Sequence, residues 1–189
     1  PSDWPDSAFI SGRLILKQHE FWEPPADLLN FLDSGPPPVY IGFGSMTLIK
    51  PEKITEIFMK AMSVTEQRAI LVKGWGGMTV ENNDMVFSID YVPYEWLFPR
   101  VKAVIHHGGF GTTDSGLRAG RPSLLCPFFM DQPFWAKRVK LLGVGPDPIP
   151  QDRLSVKTLV NAIGELVNNR NIRKRAEELG EKMRHEPDG

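Results

Sequence analysis

Residues 104–132 read VIHHGGFGTTDSGLRAGRPSLLCPFFMDQ, and the rest of the predicted fold is organised around them. A short apolar run ending at Ile105 predicts a buried strand, and a turn rich in histidine, glycine and threonine follows it. From Asp114 the spacing predicts a helix as far as Ala119, with Gly120 placed to end it. The order strand, glycine-rich turn, helix aims unpaired backbone N–H groups at one point, as in the phosphate sites of α/β proteins. The sequence therefore predicts an anion site after this strand.

A second strand is predicted over residues 123–126, and it leads to Asp131 and Gln132. Ligands of open parallel sheets bind at the carboxyl ends of the strands, so we expect both side chains in the same crevice as the histidines. A carboxylate beside a carboxamide offers several acceptors and two donors, which suits the adjacent hydroxyls of a sugar ring. The stretch therefore predicts a diphosphate site and a sugar site, one helix apart.

Strands and helices alternate through most of the remaining chain. Further strands are predicted within 9–16 and at 39–43, 68–73 and 85–89, and helices at 26–32, from Pro51, at 134–142, after Ser155 and at 172–184. In the helix over 134–142, the apolar spacing predicts that Phe134 and Trp135 face the core. This alternation predicts an α/β domain with a Rossmann-like parallel sheet and helices on both faces.

Composition and charge fit one compact globular domain. The 189 residues are 41% hydrophobic and 24% charged, and a net charge of -1 with a pI near 6.5 excludes a basic nucleic-acid interface. The single cysteine, Cys126, excludes an internal disulfide. No apolar run reaches the ~18 residues of a membrane span, and no signal peptide opens the chain. These features predict a soluble, cytoplasmic protein.

The histidines do not follow a metal-binding pattern. The chain has His19, His106, His107 and His185, and only the adjacent pair lies in the predicted crevice. A metal site needs three or four ligands at suitable spacing, which one cysteine and no HExxH motif do not supply. The sequence predicts no metal and no cofactor.

Two motifs carry a resemblance to a known family. HHGGFGTT at 106–113, followed by LRAGRPSLLCPFFMDQPFWAKRV at 117–139, resembles the donor-binding signature of inverting nucleotide-sugar glycosyltransferases with the two-domain GT-B fold. The sterol 3-β-glucosyltransferase branch is the most similar, through IDYVPYEWLFPRV at 89–101, GLRAG and PFFMDQPFW. The resemblance implies that residues 38–189 form the C-terminal, donor-binding half of a GT-B enzyme. It also implies that residues 1–37 link this half to an acceptor domain absent from the chain.

The resemblance implies a reaction and its partners. UDP-glucose would be the donor substrate, and glucose would pass with inversion to the 3β-hydroxyl of a sterol or another lipophilic alcohol bound by the missing N-terminal domain. The general base would be a histidine of that domain, so we expect no catalytic residue in this chain and little activity from it alone. Neither a metal nor nucleic acid is implied, and the full-length protein is expected to be cytoplasmic with peripheral contact to membranes.

The resemblance also implies a set of donor-binding residues. The pyrophosphate contacts would come from Gly44, Ser45, His107, Gly109, Gly111 and Thr112. Asp131 and Gln132 would orient the sugar, and main-chain groups of Val92 would pair with the uracil edge. Trp75 and Tyr91 both lie near that loop, and which of them stacks on the base stays open because Trp75 fits core packing equally well.

Two alternatives remain open at this point. The chain could be the donor domain of a natural-product glycosyltransferase of the macrolide or glycopeptide type, since those relatives share HHGG and GTT. It could also be a non-catalytic UDP-sugar-binding subunit that works with a separate acceptor-binding protein. The acceptor domain would distinguish the first alternative from the sterol enzyme.

Overall fold

The computed structural model describes residues 4–5, 7–8, 21–44, 50–74 and 77–186. Two predicted site residues, Ser45 and Trp75, lie outside the described residues, as does the strand predicted within 9–16. No helix in the described ranges is long and apolar enough to cross a bilayer.

The strands of the described residues form one parallel sheet. They are β1 (Val39–Gly42), β2 (Ala69–Val72), β3 (Val86–Ile89), β4 (Ala103–His106) and β5 (Ser123–Leu125). Their order across the sheet is β3-β2-β1-β4-β5, and each neighbouring pair is parallel. Successive parallel strands all start at the same end of the sheet, so the chain must cross back between them. The intervening helices or loops provide these crossover connections.

Helices cover both faces of this sheet. They are α1 (Ala26–Asp33), α2 (Pro51–Val64), α3 (Tyr94–Leu97), α4 (Phe110–Arg118), α5 (Gln132–Leu142), α6 (Val156–Asn168) and α7 (Arg170–Arg184). One core cluster joins β1 to α2 and α6 and contains Val39, Ile41, Phe58 and Ile163. A second cluster joins β1 and β4 to α1 and α3 and contains Tyr40, Val104, Leu28 and Leu97. The predicted Rossmann-like parallel sheet with helices on both faces is confirmed.

Helix α4 begins earlier than the sequence predicts. It starts at Phe110 rather than Asp114, because Gly109 serves as its N-cap and the backbone N–H of Thr113 donates to the Gly109 carbonyl at 3.0 Å. The Thr113 hydroxyl donates to the same carbonyl at 2.9 Å. Glycine and threonine have low helix propensity, but the burial of residues 112–117 overrides it. The glycine-threonine segment is therefore the first turn of the helix.

The prediction that Phe134 faces the core is wrong. Helix α5 buries Gln132, Ala136 and Val139, a spacing of i, i+4 and i+7 that defines one helical face. Phe134 lies off that face and is 58% exposed, while Trp135 is partly buried against the cluster formed by α4, α5 and α7.

Arg68 is a buried cation that joins three separate segments. Its guanidinium donates to the carbonyl oxygens of Phe31 and Pro36 and to the Ser34 hydroxyl, and its Nε donates to the Asp84 carbonyl. The guanidinium carbon also lies 4.0 Å from the centroid of the Phe31 ring. Burial lowers the pKa of Arg68 from its ordinary value. This side chain fixes the end of α1 and the loop before β3 against β2.

Cys126, directly after β5, is fully buried beneath the same edge of the sheet as the predicted site. Its backbone N–H donates to the His106 carbonyl at 2.8 Å, which extends the pairing of β5 with β4. Burial raises the pKa of the thiol to about 12. The thiol is therefore protonated and inaccessible in the folded chain.

Candidate functional site

The carboxyl ends of the five described strands lie level with one another. Gly42 pairs with Val72 and His106, Val72 pairs with Ile89, and His106 pairs with Leu125. The loops and helix starts that follow these residues carry the predicted site residues that the structure describes. One edge of the sheet therefore brings together the glycine turns, the histidines, the Val92 loop and Asp131, as the strand order requires.

The first turn of α4 provides an anion-binding arrangement of backbone groups. The first N–H groups of any helix lack intrahelical partners, and here they belong to Phe110, Gly111 and Thr112. In the described part of the chain, no side chain caps this end. A Cβ at Gly111 would meet no atom within 4 Å, so the turn faces open space. Helix dipole and N–H groups together favour an anion there.

His107 lies between this helix end and the turn after β1. A Cβ built on Gly109 would be 2.5 Å from His107 Nε2, and one built on Gly44 would be 3.2 Å from His107 Cε1. The imidazole therefore fills the space that the two glycines leave. Burial lowers the pKa of His107, and the negative charge of Asp131 opposes that shift. At neutral pH the ring is therefore neutral, and a neutral imidazole still has one N–H to donate.

His106 packs beneath the turn at Gly108, on the interior side of the chain. It is fully buried, and its Nδ1 accepts a hydrogen bond of 3.0 Å from the backbone N–H of Gly108, whose φ is +96°. Burial, together with a smaller effect of the nearby His107, lowers the pKa of His106 to about 3. His106 is the last residue of β4, so the strand extends one residue past the apolar run that ends at Ile105.

The buried His106 makes the stability of the chain sensitive to acid. Between pH 6.5 and about 3 the unfolded chain binds a proton at this position and the folded chain does not. Titration of His106 therefore costs no stability above pH 6.5. As the pH falls from 6.5 toward 3, it lowers the free energy of unfolding by about 1.4 kcal/mol per pH unit. His106→Asn keeps an acceptor for Gly108 without titrating, so urea unfolding of both proteins at pH 4 to 7 should show the extra slope only in the wild type. Parallel slopes would contradict the assignment.

Asp131 and Gln132 point in different directions at the end of the β5 loop. Asp131 is exposed, and its Oδ2 accepts a hydrogen bond of 2.9 Å from Trp135 Nε1. Gln132 is only 4% exposed, and its Oε1 accepts from the backbone N–H groups of Phe128 at 2.8 Å and Phe129 at 3.3 Å. Asp131 lies near enough to His107 to oppose the lowering of its pKa, while Gln132 orders the loop. Sugar contact by either side chain stays a prediction.

The loop after β3 supplies one buried and one exposed residue. Tyr91 is 52% exposed, so its ring is open to solvent and can contact a ligand, whereas Val92 is 2% exposed. Pairing of the Val92 main chain with a base stays a prediction. An ion pair of 2.9 Å between Lys73 and Asp90 joins this loop to the end of β2. Base stacking by Tyr91 stays a prediction, and Trp75 lies outside the described residues.

Tyr94 is a site residue that the sequence analysis missed. The Thr112 hydroxyl donates to the Tyr94 hydroxyl at 3.3 Å, which connects the α4 turn to the first residue of α3. The only signal was its place in the loop motif 89–101, directly after Pro93.

The family model described as Erythromycin biosynthesis protein CIII-like, C-terminal domain, matches residues 75–189. The chain belongs to this EryCIII-like C-terminal domain family. The match contains the β3 loop, the α4 turn and the Asp131 loop.

This EryCIII-like domain is also similar to curated proteins. A sterol 3-beta-glucosyltransferase of Arabidopsis thaliana is 46% identical over 98% of the chain, and the chain spans 29% of that relative. A sterol 3-beta-glucosyltransferase of Komagataella phaffii is 38% identical over 97% of the chain, which spans 16% of that relative. The chain therefore spans less than a third of the length of these relatives.

Solved structures of glycosyltransferases show the same fold. The glycotransferase of kitacinnamycin superposes on the EryCIII-like domain with a TM-score of 0.72, at 20% identity, covering 93% of this chain and 45% of that one. The calicheamicin glycosyltransferase gives a TM-score of 0.70 at 21% identity, and the superposition covers 87% of this chain and 41% of that one. The predicted architecture, the C-terminal half of a GT-B glycosyltransferase, is confirmed as a fold.

Proposed function

We propose that this chain is the donor-binding domain of a UDP-glucose-dependent glycosyltransferase whose acceptor is a sterol 3β-hydroxyl. The observation that carries the proposal is the meeting of His107, the uncapped α4 turn and Asp131 at one edge of the sheet. The similarity to sterol 3-beta-glucosyltransferases over almost the whole chain supports the choice of acceptor. The acceptor itself would bind to the N-terminal domain, with residues 1–37 as the link.

The proposed reaction is the displacement of UDP from glucose with inversion. The acceptor oxygen bonds to the anomeric carbon, the bond from that carbon to the diphosphate oxygen breaks, and UDP leaves with the electron pair. The acceptor hydroxyl gives its proton to a base in the N-terminal domain. This chain stabilises the charge that develops on UDP, through His107 and the N–H groups of the α4 turn. It also holds the sugar through Asp131, which is the positional part of catalysis.

The binding residues can be tested by titration calorimetry. We expect UDP-glucose to bind more tightly than UDP-galactose, UDP-glucuronate and TDP-glucose, with or without EDTA, because no metal takes part. His107→Ala should weaken all four donors about tenfold through the loss of one hydrogen bond. Asp131→Ala should remove the preference among the sugars and keep the affinity for UDP.

Two exposed residues give matched controls for this titration. His185 lies at the end of α7, and Asp147 pairs with Lys140 at 3.1 Å on the surface. His185→Ala and Asp147→Ala should leave every donor affinity unchanged. A folded wild type that binds none of the four nucleotides would overturn the proposal.

A natural-product acceptor is the second candidate. The name of the matching family model and the two solved structures above refer to enzymes of this kind. The full-length protein, offered a sterol and a macrolide aglycone, would decide between them by which one gains glucose. A full-length protein that binds UDP-glucose but transfers it only with a second chain present would instead be a UDP-sugar-binding subunit. For the sterol enzyme, we propose a cytoplasmic protein with peripheral contact to membranes, where its acceptor resides.

A further inference from the structure

Three hydroxyl groups form a line that ends at the proposed diphosphate site. The Tyr40 hydroxyl donates to the Tyr94 hydroxyl at 3.5 Å, and the Thr112 hydroxyl donates to the same oxygen at 3.3 Å. Thr112 is the third residue of α4, so it belongs to the turn whose backbone N–H groups face the anion site. Tyr40 lies within β1 and is fully buried, which raises the pKa of its phenol and keeps it protonated.

The surrounding aromatic rings hold these hydroxyls in place. The ring of Tyr94 stacks on Phe98 with centroids 4.7 Å apart and planes at 10°, and Tyr40 meets both rings edge to face. A Cβ on Gly42 would lie 2.1 Å from the Tyr40 hydroxyl oxygen. Because strand β1 ends in glycine, the phenol can lie along the sheet toward Tyr94. Any larger residue at this position would displace the hydroxyl.

We infer that Tyr94, backed by Tyr40, orients the Thr112 hydroxyl as a donor to the diphosphate. The inference rests on the proposed function. A hydroxyl has one proton to give and can accept from others. When a diphosphate oxygen accepts a hydrogen bond from the Thr112 hydroxyl, the Tyr94 hydroxyl turns to donate to Thr112 Oγ1 and Tyr40 continues to donate to Tyr94. All three groups then donate in one direction, and each bond polarises the next. Tyr40 and Tyr94 are positioning residues, since neither touches the ligand in this arrangement.

Calorimetry with UDP and with uridine as probes separates this role from simple packing. Thr112→Val should lower UDP affinity about tenfold and Tyr94→Phe about threefold, while uridine affinity stays unchanged because uridine has no phosphate. The double variant should bind UDP no more weakly than Thr112→Val alone, since Tyr94 acts through Thr112. Thr112→Ser retains the hydroxyl and should restore the affinity. Phenylalanine keeps the ring stack on Phe98, so folding is preserved.

Thr55→Val is the matched control. Thr55 is buried in α2, where its hydroxyl donates to the Pro51 carbonyl at 2.8 Å, so its removal deletes a buried hydroxyl away from the site. This variant should bind UDP as the wild type does.

The chain has three tyrosines, so the resonances of Tyr40 and Tyr94 can be followed individually by NMR. With ¹³Cζ-labelled tyrosine, addition of UDP should move the resonances of Tyr40 and Tyr94, and uridine should move neither. Thr112→Val should abolish both shifts. Equal losses of UDP and uridine affinity in Tyr94→Phe, or unmoved resonances in a wild type that binds UDP, would overturn the inference alone. A wild type that does not bind UDP would overturn the proposed function with it.

Discussion

Gly109→Ala is expected to reduce UDP affinity roughly 30-fold, or about 2 kcal/mol, while the protein remains folded. The backbone of Gly109 has φ -60° and ψ 142°, which alanine adopts without strain. The methyl group, however, would lie 2.5 Å from His107 Nε2, so the imidazole must rotate away. The site then loses the His107 donor and gains a methyl group beside the anion. Titration with UDP and a thermal melt would measure both effects.

A double variant gives this prediction a sharper form. His107→Ala removes the ring that the new methyl group would contact, so Gly109→Ala should cost much less in that background. Gly164→Ala is the control, because a Cβ on this glycine of α6 meets no atom within 4 Å. Additive losses in the double variant would show that the two residues do not act on each other.

Arg68→Met is expected to lower the free energy of unfolding by about 3 kcal/mol. The substitution leaves the buried Phe31 carbonyl and the partly buried Pro36 and Asp84 carbonyls without their donor, and an acceptor that finds no water costs about 1–3 kcal/mol. Partial exposure of the loop reduces the sum. Methionine retains the packing of the aliphatic stem, so the loss reports the guanidinium. Urea unfolding at pH 7 is the measurement.

Arg153→Met is the comparison for this variant, because Arg153 lies exposed in a short 3₁₀ helix. Its substitution should change stability by less than about 0.5 kcal/mol. Arg68→Lys keeps a charge but cannot reach three segments at once, so its free energy of unfolding should lie between those of Arg68→Met and Arg153→Met. Equal stabilities of Arg68→Met and Arg153→Met would mean that the buried guanidinium does not hold the segments together.

The sheet and most helices could be predicted because their signals are local. Ser155, for example, caps α6 with a hydrogen bond of 3.2 Å from the N–H of Thr158, as its place before an apolar repeat predicts. The start of α4 could not be predicted, since its glycines and threonines favour a turn when read alone. Burial against β4 and β5 decides in favour of helix, and burial depends on contacts that are distant in sequence.

The same distinction applies to the site. Once the strands are placed, the meeting of His107 and Asp131 follows from the alignment of the β4 and β5 ends. The inward orientation of Gln132 does not follow, because it depends on where α5 begins and on the turn at Phe128. Tyr94 and Thr112 are 18 residues apart, and Arg68 and Phe31 are 37 apart. Neither pair leaves a periodic trace in the sequence.

The thiol of Cys126 is the only one in the chain, and it is sealed under the sheet edge that carries the site. A thiol reagent can reach it only when the packing around the end of β5 opens, so the rate of modification reports that local opening. The modification rate of this natural side chain therefore measures local opening at the proposed nucleotide-binding end of the sheet. A bound nucleotide that stabilises the closed strands would lower the modification rate exponentially with the free energy it contributes, without any label, fluorophore or engineered residue.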